Sequence, residues 1–507
     1  MSISDEKIAD IILKHKLLTK KALAEAQDTA KNSAISLYNA AITDNLVDKN
    51  GVHLAVNDPE NTDFISNFSK RADNDVVVYF ADEESIKKVL SARDTADNDL
   101  ATLLKTVQRA GPTEKAEDIP VIEIVHKILE MSFNNKSSDV HIEPHEHLTL
   151  VRFRIDGVLH DIVELPNHLH DLIITRIKIM ARLRTDEHRA AQDGKLKFTV
   201  GDENVDVRVS IIPLIWGEKV VMRLLSEKVT QYDLATLGFR PTDLEKITRQ
   251  IGTPWGMILA TGPTGCGKTT TLYSILKYVD SPGKNIVTVE DPVEYQIKGI
   301  NQVNIRPSVG LTFPTSLRSI LRQDPNIIMI GEIRDTETLD IAVKAALTGH
   351  LVLSSLHTTT AAGSIVRMEN MGIEPFLISS SVLAIVAQRL LRKICAYCKE
   401  PQVISRPVAE RIGLLKLAHI NKEVELFRGK GCKRCFQTGY KGRVGITEVL
   451  IFSQQIKELV LARAGEPKIK AAGRAEGMKT MREDGLAKAV AGLTTLEEVL
   501  RVTAADE

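Results

Sequence analysis

The chain is poor in aromatic residues, at 4% of 507, and its 66 basic residues are matched by 66 acidic ones, so it carries no formal net charge. A nucleic-acid channel calls for a basic lining with interleaved stacking rings. Neither is in excess here, so a nucleic-acid translocase is the disfavoured reading and no nucleic-acid partner is expected. No apolar run approaches the roughly eighteen residues of a membrane span. The opening MSISDEKIAD lacks the basic-then-apolar layout of a signal peptide, and a cytoplasmic protein is expected. Cysteine is also scarce, at five residues. Four of them form two CxxC pairs and the fifth, Cys266, lies in a glycine-rich loop, which argues against a disulfide framework. The length exceeds one ordinary core and implies two to four domains.

That loop, Gly262-Pro263-Thr264-Gly265-Cys266-Gly267-Lys268-Thr269, fits the pattern GxxxxGK[ST], and Thr270 continues it. The apolar run Met257-Ile258-Leu259-Ala260 precedes it and Thr271-Leu272-Tyr273-Ser274-Ile275-Leu276 follows, giving the order strand, glycine turn, helix start. In that order the loop's backbone N–H groups and the helix N-terminus wrap a polyphosphate, Lys268 meets its outer oxygens and the Thr269 hydroxyl holds Mg²⁺. Residues 262–270 are therefore the candidate nucleotide site, with Thr269 the magnesium ligand. The alternative, a plain glycine turn, gives Lys268 and Thr269 no task.

Along the chain, the first ninety residues are helix-rich in pattern, with Ile8, Ile11, Ile12, Leu23 and Ala26 at helical spacing and Thr19 placed as a cap. A short segment ending in Val76-Val77-Val78-Tyr79-Phe80 follows. Residues 91–118 are polar, include Gly111-Pro112 and read as a linker with one helix around Leu100 to Val107. From Ile119 the pattern mixes a helix from Val121 to Met131, a strand from Leu148 to Ile155, a helix around Leu172 to Leu183, and strands at Lys195 to Val200 and Val205 to Ile211. Beyond Leu237, four apolar strands (Met257 to Ala260, Ile286 to Val289, Ile327 to Ile330, Leu351 to Leu356) alternate with helix-length segments. That spacing predicts a mostly parallel sheet with helices on both faces, an α/β nucleotide-binding domain.

An open α/β sheet places its ligand at the carboxyl ends of its strands. Here those ends carry Glu290-Asp291-Pro292-Val293-Glu294, then Gly331-Glu332-Ile333-Arg334-Asp335, then His357. Phosphoryl transfer to water needs one carboxylate for Mg²⁺ and another to orient the nucleophile, and Glu332 and Glu294 are the candidates. Asp335, ahead of Thr336-Glu337-Thr338, reads as a helix cap. His357 alone fits packing or hydrogen bonding as well as chemistry.

The run from Leu321 to Asp335, LRQDPNIIMIGEIRD, resembles the signature of the secretion superfamily ATPases, the hexameric motors of type II secretion and type IV pilus assembly. Thr288 to Glu294 resembles that family's aspartate box, Thr348 to Thr359 its histidine box, which contains His357, and Ser138 to Pro144 the start of its second domain. The resemblance spans roughly residues 119–507. It implies a multidomain α/β protein: a docking domain over 1–90, the linker 91–118, a PAS-like α/β second domain over 119–230, and a RecA-like P-loop ATPase domain over 237–507 with a helical C-terminal part. By the same resemblance Glu294 positions water, Glu332 belongs to the Mg²⁺ site, and Arg208 and Arg223 reach ATP from the second domain as it closes. Arg318 and Arg322 match a further pair, although their spacing of four also fits a solvated helix face. The implied assembly is a homo-hexamer driven by ATP with Mg²⁺, peripheral to the inner face of the cytoplasmic membrane through an inner-membrane platform protein. Pilus assembly is favoured over type II secretion.

The pairs Cys395-Ala396-Tyr397-Cys398 and Cys432-Lys433-Arg434-Cys435, within an element spanning 392–442, suit tetrahedral thiolate zinc. A four-sulfur site leaves no open position for a substrate, so the zinc is structural. The N-terminal domain resembles modules that bind cyclic di-GMP, but the matching stretch reads Lys7-Ile8-Ala9 with Lys16 at the next glycine position. That eroded motif speaks against a second messenger and for a docking role.

Overall fold

The computed structural model describes residues 120–201, 203–225, 233–411, 414 and 424–503, together with two short parallel strands, β1 (Val52–Val56) and β2 (Val76–Phe80). The helices read around Ile8 to Ala26, the Thr19 cap and the linker over 91–118 lie outside the described residues. The chain packs as two compact units, Met1–Leu224 and Leu225–Glu507.

In the first unit, α1 (Val121–Asn134) is followed by β3 (Asp139–Pro144), β4 (Leu148–Ile155), β5 (Val158–Pro166), α2 (His170–Ala181), β6 (Gln192–Val200), β7 (Glu203–Leu214) and β8 (Gly217–Leu225). The six strands form one sheet in the order β5-β4-β3-β8-β7-β6. Every second residue of β7, from Val205 through Val207 and Val209 to Ile211, is buried, the period of a strand with one face in the core. Those side chains meet Ile124, Ile128 and Leu129 of α1 and Ile173, Ile174 and Ile177 of α2, so the helices cover one face of the sheet.

The second unit holds α3 (Pro241–Ile251), β9 (Gly256–Thr261), α4 (Lys268–Val279), β10 (Ile286–Glu290), β11 (Asn301–Asn304), α5 (Phe313–Ile320), β12 (Ile327–Ile330), α6 (Thr336–Leu347), β13 (Leu351–Leu356), α7 (Ala361–Asn370), α8 (Pro375–Ser381) and β14 (Val382–Ile394). After these come β15 (Lys399–Ile404), α9 (Arg406–Arg411), β16 (Val424–Gly429), β17 (Tyr440–Ile451), α10 (Gln454–Leu461), α11 (Glu466–Ala475), α12 (Met481–Val490) and α13 (Leu496–Val502). The main sheet runs β11-β10-β12-β13-β9-β14-β17 and is parallel except for the edge strand β17. Its strands are apolar on both faces because both faces are covered. Met257, Leu259, Ile328 and Ile330 pack with α5, α6 and α7, while the alternating Ile258, Ala260, Ile327 and Met329 pack with α3 and α4.

The four strands read from the sequence all lie in this sheet, but β14 and β17 were not anticipated. The Ala, Leu, Gln and Arg residues of β14 favour a helix, and pairing with β9 on one side and β17 on the other overrides that preference. Among the described residues no helix is long and apolar enough to cross a membrane.

Candidate functional site

The loop from Gly262 to Thr269 leaves the end of β9, the strand between β13 and β14, and enters α4. Gly262 has φ 146°, and a Cβ there would meet Cys266 Sγ at 2.5 Å and the Gln388 carbonyl at 2.6 Å, so glycine alone fits. Gly265 and Gly267 also adopt positive φ, at 77° and 95°. Cys266 is buried, and burial pushes its thiol above the ordinary range. Pro263, Thr264, Gly265 and Thr269 are exposed, while Gly267, Lys268 and Thr270 are half-buried.

A residue that sequence reading missed holds the loop in place. Gln388 of β14 is buried, and its Nε2 donates to the Cys266 carbonyl at 2.9 Å while its Oε1 accepts from Thr271 Oγ1 at 2.9 Å. One amide thus ties the loop to the first turn of α4. The following residue, Arg389, is half-buried and close enough for its charge to act on both Cys266 and Lys268.

Lys268 Nζ donates to the carbonyls of Gly262 at 2.8 Å and Pro263 at 3.1 Å. Burial lowers its pKa, and the negative charge of Glu332 opposes that shift. The phosphate-loop lysine and the acid behind β12 therefore share one electrostatic site. Glu332 itself accepts from Arg334 Nη2 at 2.5 Å and is bonded to His357 Nε2 at 2.9 Å. Burial raises its carboxyl, but the hydrogen bonds from Arg334 and His357 outweigh that and hold it below the usual range, so it is ionised at neutral pH.

The strand ends that carry these groups are locked in register. Ser354 Oγ donates to the Ile330 carbonyl and Ser355 Oγ to the Gly331 carbonyl, each at 2.8 Å, and Thr261 Oγ1 donates to the Leu356 carbonyl at 3.1 Å. Asp335 caps α6, accepting from the Thr338 N–H at 2.7 Å and its hydroxyl at 2.9 Å, which is the role its sequence context implied.

Glu294 is half-buried in the turn after β10. Arg318 is exposed at the end of α5 and pairs with Glu337 of α6, and Arg322 Nη1 returns to the Arg318 carbonyl at 2.9 Å. Both arginines are thus engaged on the helix surface. Arg208 lies half-buried on β7 of the first unit, and Arg223, on β8, donates from Nε to Asp139 Oδ1 at 2.9 Å.

The four knuckle cysteines converge. Their sulfurs all lie within 4.8 Å of one another, with Cys395–Cys432 at 3.9 Å, Cys398–Cys435 at 3.8 Å and Cys432–Cys435 at 3.6 Å. A tetrahedron of thiolates about 2.3 Å from a zinc ion has an edge of about 3.8 Å, so the spacing fits that ion. Backbone N–H groups of Gly431, Cys432 and Gly439 point at the sulfurs at 3.2–3.3 Å, donors suited to thiolate charge. All five cysteines of the chain are free thiols.

Residues 114–501 match the family described as Type II/IV secretion system protein. The type II secretion system ATPase E of Vibrio cholerae is 43% identical over 84% of this chain and 84% of its own. The type IV pilus assembly ATPase PilB of Myxococcus xanthus is 45% identical over 82% of this chain and 73% of its own. Among solved structures, the pilus retraction motor PilT with bound ADP superposes with a TM-score of 0.51 at 25% identity, covering 75% of this chain and 96% of the other.

Proposed function

The chain belongs to the Type II/IV secretion system protein family, and on that premise we propose that it is a hexameric motor that hydrolyses ATP to drive type IV pilus assembly through an inner-membrane platform protein. The observation that supports the catalytic half of this reading is the phosphate loop at the carboxyl end of β9 together with an ionised Glu332 behind β12, close enough for its charge to act on Lys268. Backbone N–H groups of residues 264–269 and the start of α4 hold the phosphates, and Lys268 supplies positive charge to the outermost ones. Mg²⁺ would be held by the Thr269 hydroxyl and on the side of Glu332, where it would supply positive charge to the outer phosphates. His357 fixes the orientation of Glu332 through the hydrogen bond at its Nε2. Glu294 orients the attacking water and takes up its proton. Arg208 and Arg223 are assigned to the negative charge that develops on the transferred phosphoryl group, and Arg318 and Arg322 to a supporting electrostatic role.

In the same proposal residues 1–90 dock on the membrane machinery without a cyclic di-GMP site, 91–118 link, 119–230 form the moving domain and 237–507 the ATPase domain. The motor works on the cytoplasmic side, peripheral to the membrane. Zn²⁺ would be held by Cys395, Cys398, Cys432 and Cys435, where it would close the fold of that element and take no part in hydrolysis. The likeness to the Vibrio cholerae protein supports a second reading, a type II secretion motor. Complementation separates the two: the chain is expressed in its host lacking the native copy, and surface pili and secreted exoproteins are scored. Restored piliation with unchanged secretion is the expected result, and restored secretion alone assigns the second reading.

A further inference from the structure

Tyr273 lies on α4, four residues beyond Thr269, and is fully buried. Its hydroxyl donates to Oε2 of Glu290, the last residue of β10. Glu294 immediately precedes Tyr295 in the turn that follows β10. Glu290 is 2% exposed, and its other oxygen accepts from Thr288 Oγ1 at 2.6 Å and from Gln302 Nε2 at 3.3 Å. Gln302 extends the support: its Nε2 donates to the Tyr295 carbonyl at 3.1 Å and its Oε1 accepts from the Ile297 N–H at 2.7 Å. The ring of Tyr295 stands edge-on to that of Tyr273, with centroids 4.6 Å apart. The turn that bears Glu294 is therefore held through one buried phenol, one buried carboxyl and one amide. The phenol belongs to the helix that the phosphate loop enters.

We propose that Tyr273 is a positioning residue for Glu294, relaying the register of the phosphate-loop helix to the turn that presents the water-orienting carboxylate. The phenol is suited to this because its hydroxyl donates to Glu290 at the start of the turn while its ring packs against Tyr295, the neighbour of Glu294. Misplacement of a reacting group by about 1 Å can cost about 100-fold in rate, so a support of this kind acts on turnover more than on nucleotide affinity. The inference rests on the reading of Glu294 given above.

The test is Tyr273→Phe in the full-length hexamer, which deletes the hydroxyl and keeps the ring. We expect kcat to fall by about 10- to 100-fold while KM for ATP, ADP affinity, hexamer mass and Tm stay near wild type. Added to Glu294→Gln, Tyr273→Phe should cause no further loss of the residual rate, because both act through one carboxylate. Wild-type turnover in Tyr273→Phe beside an inactive Glu294→Gln would overturn the proposal and leave the Glu294 reading intact. So would multiplicative losses in the double variant. Turnover retained in Glu294→Gln would instead remove the reading beneath it. Should Tyr273→Phe fail to form hexamers, Gln302→Ala on the edge strand β11 removes the other support of the same turn. There a fall in kcat at constant KM upholds the relay, and an unchanged kcat refutes it.

Discussion

The phosphate-loop end of the main sheet and the tetracysteine element occupy the same unit and share a strand, yet they are built on opposite principles. β14 carries Gln388 against the phosphate loop and ends at Ile394, next to Cys395. At the loop end, charged groups are only partly buried, with Glu332 at 18%, His357 at 47% and Arg334 at 63% side-chain exposure, and Pro263, Thr264, Gly265 and Thr269 of the loop are exposed. At the cysteine end, four ligands converge on one point and their charge is met by backbone donors. A site that does chemistry must leave positions open for what arrives, whereas a site that holds a fold saturates its own ligands. The contrast teaches that in this chain openness, rather than the count of reactive side chains, sets the site proposed for turnover apart from the site proposed for zinc.

The sharpest way to break that contrast is Lys268→Ala. It removes the charge on the outer phosphates, and ATP turnover in a coupled phosphate-release assay is expected to fall to background with weakened nucleotide binding. Turnover above a tenth of wild type would move the chemistry elsewhere. Arg223→Ala should come next. Asp139 retains Arg154 Nε at 3.6 Å, so the first unit keeps its fold, and ATP affinity should stay within a few-fold of wild type while most hydrolysis is lost. Oligomer mass measured alongside separates this from loss of the ring, and full turnover in an intact hexamer would make Arg223 structural.

Cys395→Ser sharpens the other side. One zinc per chain is expected by metal analysis of protein purified without chelator. The variant should lose it, expose the 392–442 element to proteolysis and impair assembly more than intrinsic hydrolysis, because structural zinc supplies about 10 to 16 kcal/mol of apparent binding energy in small domains. Protein that carries no zinc, or a Cys395–Cys398 disulfide, would contradict this.

Between the two sites stands Glu498 of α13, buried, bonded to Arg392 Nε at 3.1 Å and Nη2 at 2.8 Å and to Arg501 Nε at 2.8 Å. Burial raises its carboxyl, but the hydrogen bonds from Arg501 and Arg392 prevail and hold it down to about 2. A carboxyl lowered in the folded state stabilises fully above its unfolded value and loses that contribution as pH falls toward the folded value. Glu498→Gln should therefore cost about 3 kcal/mol at neutral pH, and the gap from wild type should narrow in urea titrations between about pH 4.5 and pH 2. A gap independent of pH would show that shape rather than charge holds β14 there.

How legible each region was follows from how local its chemistry is. The phosphate loop, Glu332 and the cysteine knuckles are contiguous motifs whose meaning needs no tertiary contact. The apolar strands β9, β10, β12 and β13 were readable because burial on both faces forces continuous hydrophobic runs. Gln388 was invisible because its partners Cys266 and Thr271 are 122 and 117 residues away and its strand has a helix-like composition. Tyr273 looked like ordinary core, since nothing near it in the chain announces a buried carboxyl at Glu290. Glu332 was read as a candidate from its place at a strand end, but the hydrogen bond from His357 that helps keep it ionised depends on how the loops after β12 and β13 meet.

The most direct test of the account is Mg²⁺-dependent ATP turnover of the purified full-length chain beside Glu332→Gln, with hexamer mass and zinc content measured in the same preparations. The account predicts an intact, zinc-loaded Glu332→Gln hexamer whose turnover is reduced by orders of magnitude. Wild-type turnover in that hexamer would contradict it.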